Sequence, residues 1–151
     1  MLAMPSTHTS LHIHIVFSTK ARVPMIDPAW RSDLHAYIGG CLKRLDAFPQ
    51  EIGGVADHVH LLIGIKPIHA IADLVKETKR VSTEWVRESK RIQGFAWQEG
   101  YGAFSVSKSS VPSVREYIQQ QEQHHQKRTF QEEYSEFLDK HGIEYDERYL
   151  W

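Results

Sequence analysis

The run Asp57-His58-Val59-His60-Leu61-Leu62-Ile63-Gly64-Ile65 decides the fold. Successive side chains of a strand point to opposite faces. The run therefore sends Val59, Leu61, Ile63 and Ile65 one way, and His58 and His60 together the other way. An apolar sheet face has to be covered by another layer. If two helices cover it, the imidazoles stand on the uncovered side, where they can bind a metal or a substrate. Just upstream, Phe48 to Val55 reads as a partner strand, and the intervening Ala56 and Asp57 predict a tight hairpin.

Further out, Leu11, Ile13, Ile15 and Phe17 alternate with His12, His14, Val16 and Ser18, the period of two of another half-buried strand. Between these strands, Ala29 to Leu45 places Leu34, Tyr37, Ile38 and Leu42 at helical spacing, weakened by Gly39 and Gly40. Downstream, His69 to about Lys90 carries one stripe of Ile71, Leu74, Val75, Thr78, Ser82, Trp85 and Val86. Lys76, Lys79, Arg80, Arg87 and Lys90 lie outside the stripe, so this is an amphipathic helix with a basic outer surface. Gly100 to Ser107 reads as a fourth strand. Ser110 with Pro112 signals the start of a helix running to about Lys127, and a short helix is expected over Gln131 to Lys140.

The order β-α-β-β-α-β makes this an α+β protein of the ferredoxin-like, split βαβ type: an antiparallel sheet with helices on one face and strands one and three in the centre. With 151 residues, 41% hydrophobic and 25% charged, the chain suits one domain with a real core. Its lone cysteine, Cys41, cannot form an internal disulfide, and no stretch approaches the run of about 20 apolar residues that a membrane span needs. Met1 to Ser10 lacks the basic and apolar segments of a secretory signal, so a cytoplasmic protein without membrane partners is expected. The net charge of -1 hides an uneven distribution. Residues 131–151 carry a net of -5 and residues 1–130 a net of +4, with bases concentrated between Lys76 and Arg91. The body can meet phosphate while the tail stays acidic.

An isolated His-x-His more often decorates a solvated strand than holds a metal. A second element changes the weighing: in Tyr117-Ile118-Gln119-Gln120-Gln121, Tyr117 and Gln121 sit four apart and share one face of the expected helix.

Together with His14-Ile15-Val16-Phe17-Ser18-Thr19-Lys20 and Asp57-His58-Val59-His60-Leu61-Leu62, that pair makes residues 11–128 resemble the HUH single-tyrosine transposases of insertion sequences and their REP-associated relatives. The resemblance implies that Tyr117, on a C-terminal helix, is the nucleophile. It implies that His58 and His60 are metal ligands and that Gln121 supplies a third through its carbonyl oxygen, around magnesium or manganese. It also implies a catalytic domain over residues 1–128 with residues 129–151 as an acidic extension of it, and a homodimer acting on single-stranded DNA hairpins.

In that family the tyrosine helix of one subunit can complete the metal site of the other, an exchange that the loop Lys108 to Ser110 would permit. The chemistry fits these residue types. A cation beside a phosphodiester lowers the barrier to attack, and a phosphotyrosine conserves the energy of the broken bond for rejoining. A related nickase or replication initiator would look the same, and an inert hairpin-binding module is a third reading.

Tyr101 and Tyr134 lack a glutamine four residues on, which favours Tyr117. His12 and His14 read as structural histidines or phosphate contacts, and His124 and His125 as exposed helix positions. Lys76, Lys79, Arg80, Arg87, Lys20, Arg22 and Arg128 are the candidate DNA contacts. For the first four, pairing with Glu77, Glu84 and Glu88 on a solvated helix is the competing explanation. Trp97 suits either base stacking or the core. The tail ends in Tyr149-Leu150-Trp151, an aromatic end suited to docking on the body.

Overall fold

A computed structural model describes residues 6–146, so the expected docking of the aromatic end, with Tyr149 and Trp151, lies outside the described residues. The four strands are β1 (Leu11–Ser18), β2 (Phe48–Gly54), β3 (His58–Ile65) and β4 (Gly102–Val106). They form one antiparallel sheet in the order β2-β3-β1-β4, which puts the two most regularly patterned strands in the centre as expected. Pro49, which has no N–H for a ladder, lies on the edge strand β2, beside a register shift. Strand β2 ends one residue earlier than its pattern suggested, and Val55, Ala56 and Asp57 connect it to β3.

One sheet face is covered by α1 (Arg31–Arg44) and α2 (Ile71–Ser89). Leu34, Ile38 and Leu42 from α1, and Leu74, Val75 and Val86 from α2, pack on Ile15, Phe17, Val59, Leu61 and Ile63 in the main core. Trp97 belongs to this core: it is 7% exposed, meets Phe17 edge-on, and donates from Nε1 to Ser82 Oγ at 2.9 Å. Its stacking on a nucleobase is thereby excluded in this arrangement, because both its ring and its polar tip are engaged.

The other face is not left open, contrary to expectation. Three C-terminal helices lie on it: α3 (Val111–Gln119), α4 (Gln121–His124) and α5 (Phe130–Lys140). Val111 and Ile118 pack on Leu62, while Phe130, Tyr134 and Leu138 pack on Val16 and Phe104. Leu62, Val16 and Phe104 explain why: the histidine face also carries apolar side chains, and those need cover. A capping box starts α5, with Glu132 N–H donating to Thr129 Oγ1 at 3.2 Å and Thr129 N–H donating to Glu132 Oε1 at 3.4 Å. Among the described residues, no helix is long and apolar enough to cross a membrane.

The long helix expected from Ser110 to about Lys127 is broken. Gln120 has φ -102° and ψ 23°, which ends α3 and starts α4. Ahead of it, Lys108–Ser110 forms a 3-10 turn rather than an open loop. The seat of α3 is close: a Cβ on Gly53 would lie 2.6 Å from the Ile118 carbonyl oxygen and 2.7 Å from its Cγ2. Gly53→Ala should therefore push α3 off β2, at a cost of about 1–3 kcal/mol. Urea unfolding would measure this as a lowered midpoint, and an unchanged midpoint would contradict the close approach.

Candidate active site

Strand β3 sets His58 and His60 two apart on the face under α3, α4 and α5, and both are fully buried. Each imidazole is oriented through Nδ1. His58 Nδ1 bonds Asp57 Oδ1 at 2.7 Å, and His60 Nδ1 bonds His14 Nε2 at 2.8 Å. His14 reaches His60 because β1 pairs with β3 in a register that puts Val16 opposite His60, leaving His14 as its diagonal neighbour. The expectation of a structural role for His14 is met by this bond. His12 bonds Gln50 Oε1 from Nδ1, away from the cluster.

With both Nδ1 atoms engaged, the two Nε2 atoms face the C-terminal helices. Gln121 on α4, buried, brings Oε1 to 3.0 Å from His58 Nε2. The break at Gln120 separates Tyr117 and Gln121 onto two helices, yet Gln121 Nε2 remains 3.5 Å from the Tyr117 carbonyl oxygen. Glu133 on α5, also fully buried, places Oε1 3.0 Å from His60 Nε2 and 3.4 Å from His58 Nε2. Its Oε2 accepts hydrogen bonds from the Tyr117 hydroxyl and from Gln121 Nε2 at 3.3 Å.

His125 Nε2 lies 3.3 Å from the same oxygen without a directed hydrogen bond and has no other partner, although it is buried. His125 is thus no exposed helix residue, and His124 stacks on the Tyr117 ring at 4.6 Å. Among the described residues, His58, His125 and Glu133 offer ligand atoms within 4.8 Å of one another.

Burial disfavours charge throughout this cluster, and carboxylates decide where charge remains. Burial pulls His58 down, but Asp57 and Glu133 outweigh it and raise its pKa to about 9. Burial keeps His14 and His60 below the ordinary histidine value. Glu133 is pushed up by burial but pulled down further by His125, His58 and His60, so it stays a carboxylate. Burial and the neighbouring Glu133 raise the Tyr117 phenol well above its usual value, while Arg128, whose Nη2 donates to the phenolic oxygen at 3.1 Å, opposes them. A cavity of about 200 Å³ lies beside Tyr117, lined also by Arg128, Glu133, Phe137 and Lys140.

Residues 7–121 match the family described as transposase, IS200 like. The chain belongs to this IS200-like transposase family. No curated protein matches it significantly. Among solved structures, a protein from Deinococcus radiodurans R1 designated a transposase is similar at 23% identity with a TM-score of 0.63, covering 80% of this chain and 98% of that one. A REP-associated tyrosine transposase bound to a REP hairpin is similar at 11% identity with a TM-score of 0.60, covering 83% of this chain and 74% of that one. At these identities the two structures speak for the fold, and the fold agrees with the family.

In this IS200-like transposase, the basic residues of α2 lie across the sheet from the histidines, since α2 packs on the opposite face. Several are engaged. Arg80 pairs with Glu77 and Glu84, Lys79 donates to the carbonyls of Gln98, Glu99 and Gly100, and Arg87 Nε donates to the Phe95 carbonyl at 3.0 Å. Lys76 is exposed. Lys20 and Arg22 follow Thr19, whose N–H donates to the Asp57 carbonyl at 2.8 Å, so they stand at the His58 end of the sheet. Arg128 bridges the Tyr117 oxygen and Glu136. Of the other tyrosines, Tyr134 is buried in the core under α5, and Tyr101 packs against the main core.

Besides His125, Glu133 is the member of the cluster that reading the sequence missed. Its signal lay in the pattern Phe130, Tyr134, Phe137 and Leu138, an apolar stripe at helical spacing that also includes position 133. An acid inside such a stripe is buried with partners or is not tolerated.

Proposed function

We propose that the chain is a metal-dependent single-strand DNA transposase that cleaves and rejoins DNA beside hairpins through a 5′-phosphotyrosine link. Tyr117 is the nucleophile, and His58, His60 and Gln121 hold magnesium or manganese. The observation that carries this reading is the convergence of four distant segments: β3 supplies two imidazole Nε2 atoms, α4 an amide oxygen 3.0 Å from one of them, α5 a carboxylate, and α3 a phenol. The donor set suits a divalent ion, because Nδ1 of each imidazole is engaged elsewhere, which leaves Nε2 for an ion, and because His58, His125 and Glu133 bring ligand atoms within 4.8 Å of one another. Donor atoms at about 2.1 Å from one ion are separated by about 3.0–3.4 Å when they subtend 90–110°. The distance from His58 Nε2 to Gln121 Oε1, 3.0 Å, falls in that range.

When bound, the cation would polarise the scissile phosphate and orient its leaving oxygen. The chain's own residues do the rest. Asp57 and His14 fix the two imidazoles. Arg128 supports negative charge on the Tyr117 oxygen as its proton departs. That oxygen bonds to phosphorus as the bond to the 3′ oxygen breaks, so the 5′ side stays on the protein and the 3′ side leaves as a hydroxyl, taking up one proton. Rejoining is the reverse attack by a 3′-hydroxyl, without ATP.

The cavity beside Tyr117 is the approach for the phosphate, with Arg128 on its wall and Lys20 and Arg22 at the same end of the sheet as His58. Lys76, Lys79, Arg80 and Arg87 would serve as contacts to outlying phosphates. Hairpin recognition rests on the likeness to the REP-hairpin-bound transposase. A homodimer and a cytoplasmic site of action belong to the same reading, with residues 1–128 as the catalytic domain and 129–151 as its extension. Tyr117 meets the histidine cluster within one chain, so an exchange of helices between subunits is not needed to assemble the site.

The test is cleavage of oligonucleotides covering both strands of the DNA that flanks the gene. A single-stranded hairpin should be cut in magnesium or manganese and spared in EDTA, and its fully paired duplex should be spared. Equal cutting in EDTA, or of the duplex, would contradict the reading.

A further inference from the structure

The matched family region ends at residue 121, and the acidic extension begins after it. Yet α5 of that extension delivers a carboxylate to the centre of the cluster. Both oxygens of Glu133 are engaged there, Oε1 toward the His60 and His58 Nε2 atoms and Oε2 toward the Tyr117 hydroxyl and Gln121 Nε2. Phe130, Tyr134 and Leu138 anchor α5 in the core around Glu133, and the capping box fixes its start, so the carboxylate is held rigidly.

Each histidine is already oriented by its own Nδ1 bond, so Glu133 is not needed to fix the rings. It faces the Nε2 atom of both rings, the atom that each imidazole would present to a metal ion. We propose that Glu133 is a fourth donor to the cation held by His58, His60 and Gln121, through Oε1, while Oε2 ties the Tyr117 hydroxyl to the ion site. This rests on the metal-dependent reading above. A carboxylate adds a hard, negatively charged oxygen to two imidazoles and an amide, which favours magnesium or manganese over softer ions. The extension is then part of the catalytic apparatus.

The experiment is Mn²⁺ binding by the full-length protein without DNA, followed by titration calorimetry and by electron paramagnetic resonance of free Mn²⁺. Glu133→Gln keeps the shape and removes the charge. It should raise the Kd for Mn²⁺ about 10-fold or more, with an unchanged circular dichroism spectrum. His60→Ala is the control for the site itself. Wild-type affinity in Glu133→Gln together with lost binding in His60→Ala would overturn the role of Glu133 and leave the histidine site standing. Wild-type affinity in both variants would overturn the metal site as well. Should Glu133→Gln fail to fold, Mn²⁺ soaked into crystals of the wild-type protein decides the matter. An anomalous peak bonded by Glu133 Oε1 is expected. An ion bonded by the histidines and Gln121, with Oε1 out of bonding range, would overturn the proposal.

Discussion

Replacing His58 or His60 with alanine is expected to reduce metal-dependent cleavage by at least about 100-fold, since outer-shell changes alone cost 10–100-fold and these substitutions remove a ligand outright. Stability should fall too. His58, raised by Asp57 and Glu133, is the charged partner, and truncating it costs about 3–5 kcal/mol because both carboxylates lose their cation. His60, held neutral by burial, instead leaves hydrogen-bonding groups of His14 and Glu133 unsatisfied, at about 1–3 kcal/mol. The histidines are therefore expected to serve the fold as well as the proposed ion. His60→Ala loses a ring between His14 and Glu133, while His58→Ala also strands Asp57. The proposed hairpin binding, assigned to surface cations, should survive in the fraction that stays folded. Gel shifts and cleavage on the same oligonucleotides at a temperature well below the lowered Tm would separate the two effects. Undiminished cleavage by both variants would remove the metal assignment.

Strands β1 and β3 were legible because their alternation is strict, and alternation translates directly into faces. From them followed the central pair, the helix-covered apolar face and the joint projection of His58 and His60. The break at Gln120 was not legible. Nothing in Gln119-Gln120-Gln121 is a helix breaker, and the bend is a tertiary outcome: Ile118 seats against Gly53, and Gln121 turns to meet His58. The cover over the histidines was missed for a related reason. Val16, Leu62 and Phe104 made that face partly apolar, but the two histidines drew attention to its polar half. Glu133 was hidden among other acids in a segment read as an acidic extension, although its place in the stripe of Phe130, Tyr134 and Leu138 distinguished it from Glu132 and Glu136.

Tyr117→Phe should abolish DNA breakage altogether, because it removes the proposed nucleophilic oxygen and little else. The substitution deletes the hydroxyl that donates to Glu133 and accepts from Arg128, but leaves the ring contacts to His124, His60 and Phe137. Folding and hairpin binding should change little. A hydrolytic nuclease using a metal-activated water would lose little with the phenol gone, whereas covalent catalysis fails entirely. The most direct measurement is to incubate the protein with manganese and a 5′- and 3′-labelled single-stranded hairpin, denature the mixture, and map any protein-bound DNA by peptide mass. The account predicts a denaturation-resistant adduct on Tyr117, carrying the DNA through its 5′ phosphate and matched by a free 3′-hydroxyl, and its absence in Tyr117→Phe. An adduct on Tyr101 or Tyr134, or cleavage that persists in Tyr117→Phe, would contradict it.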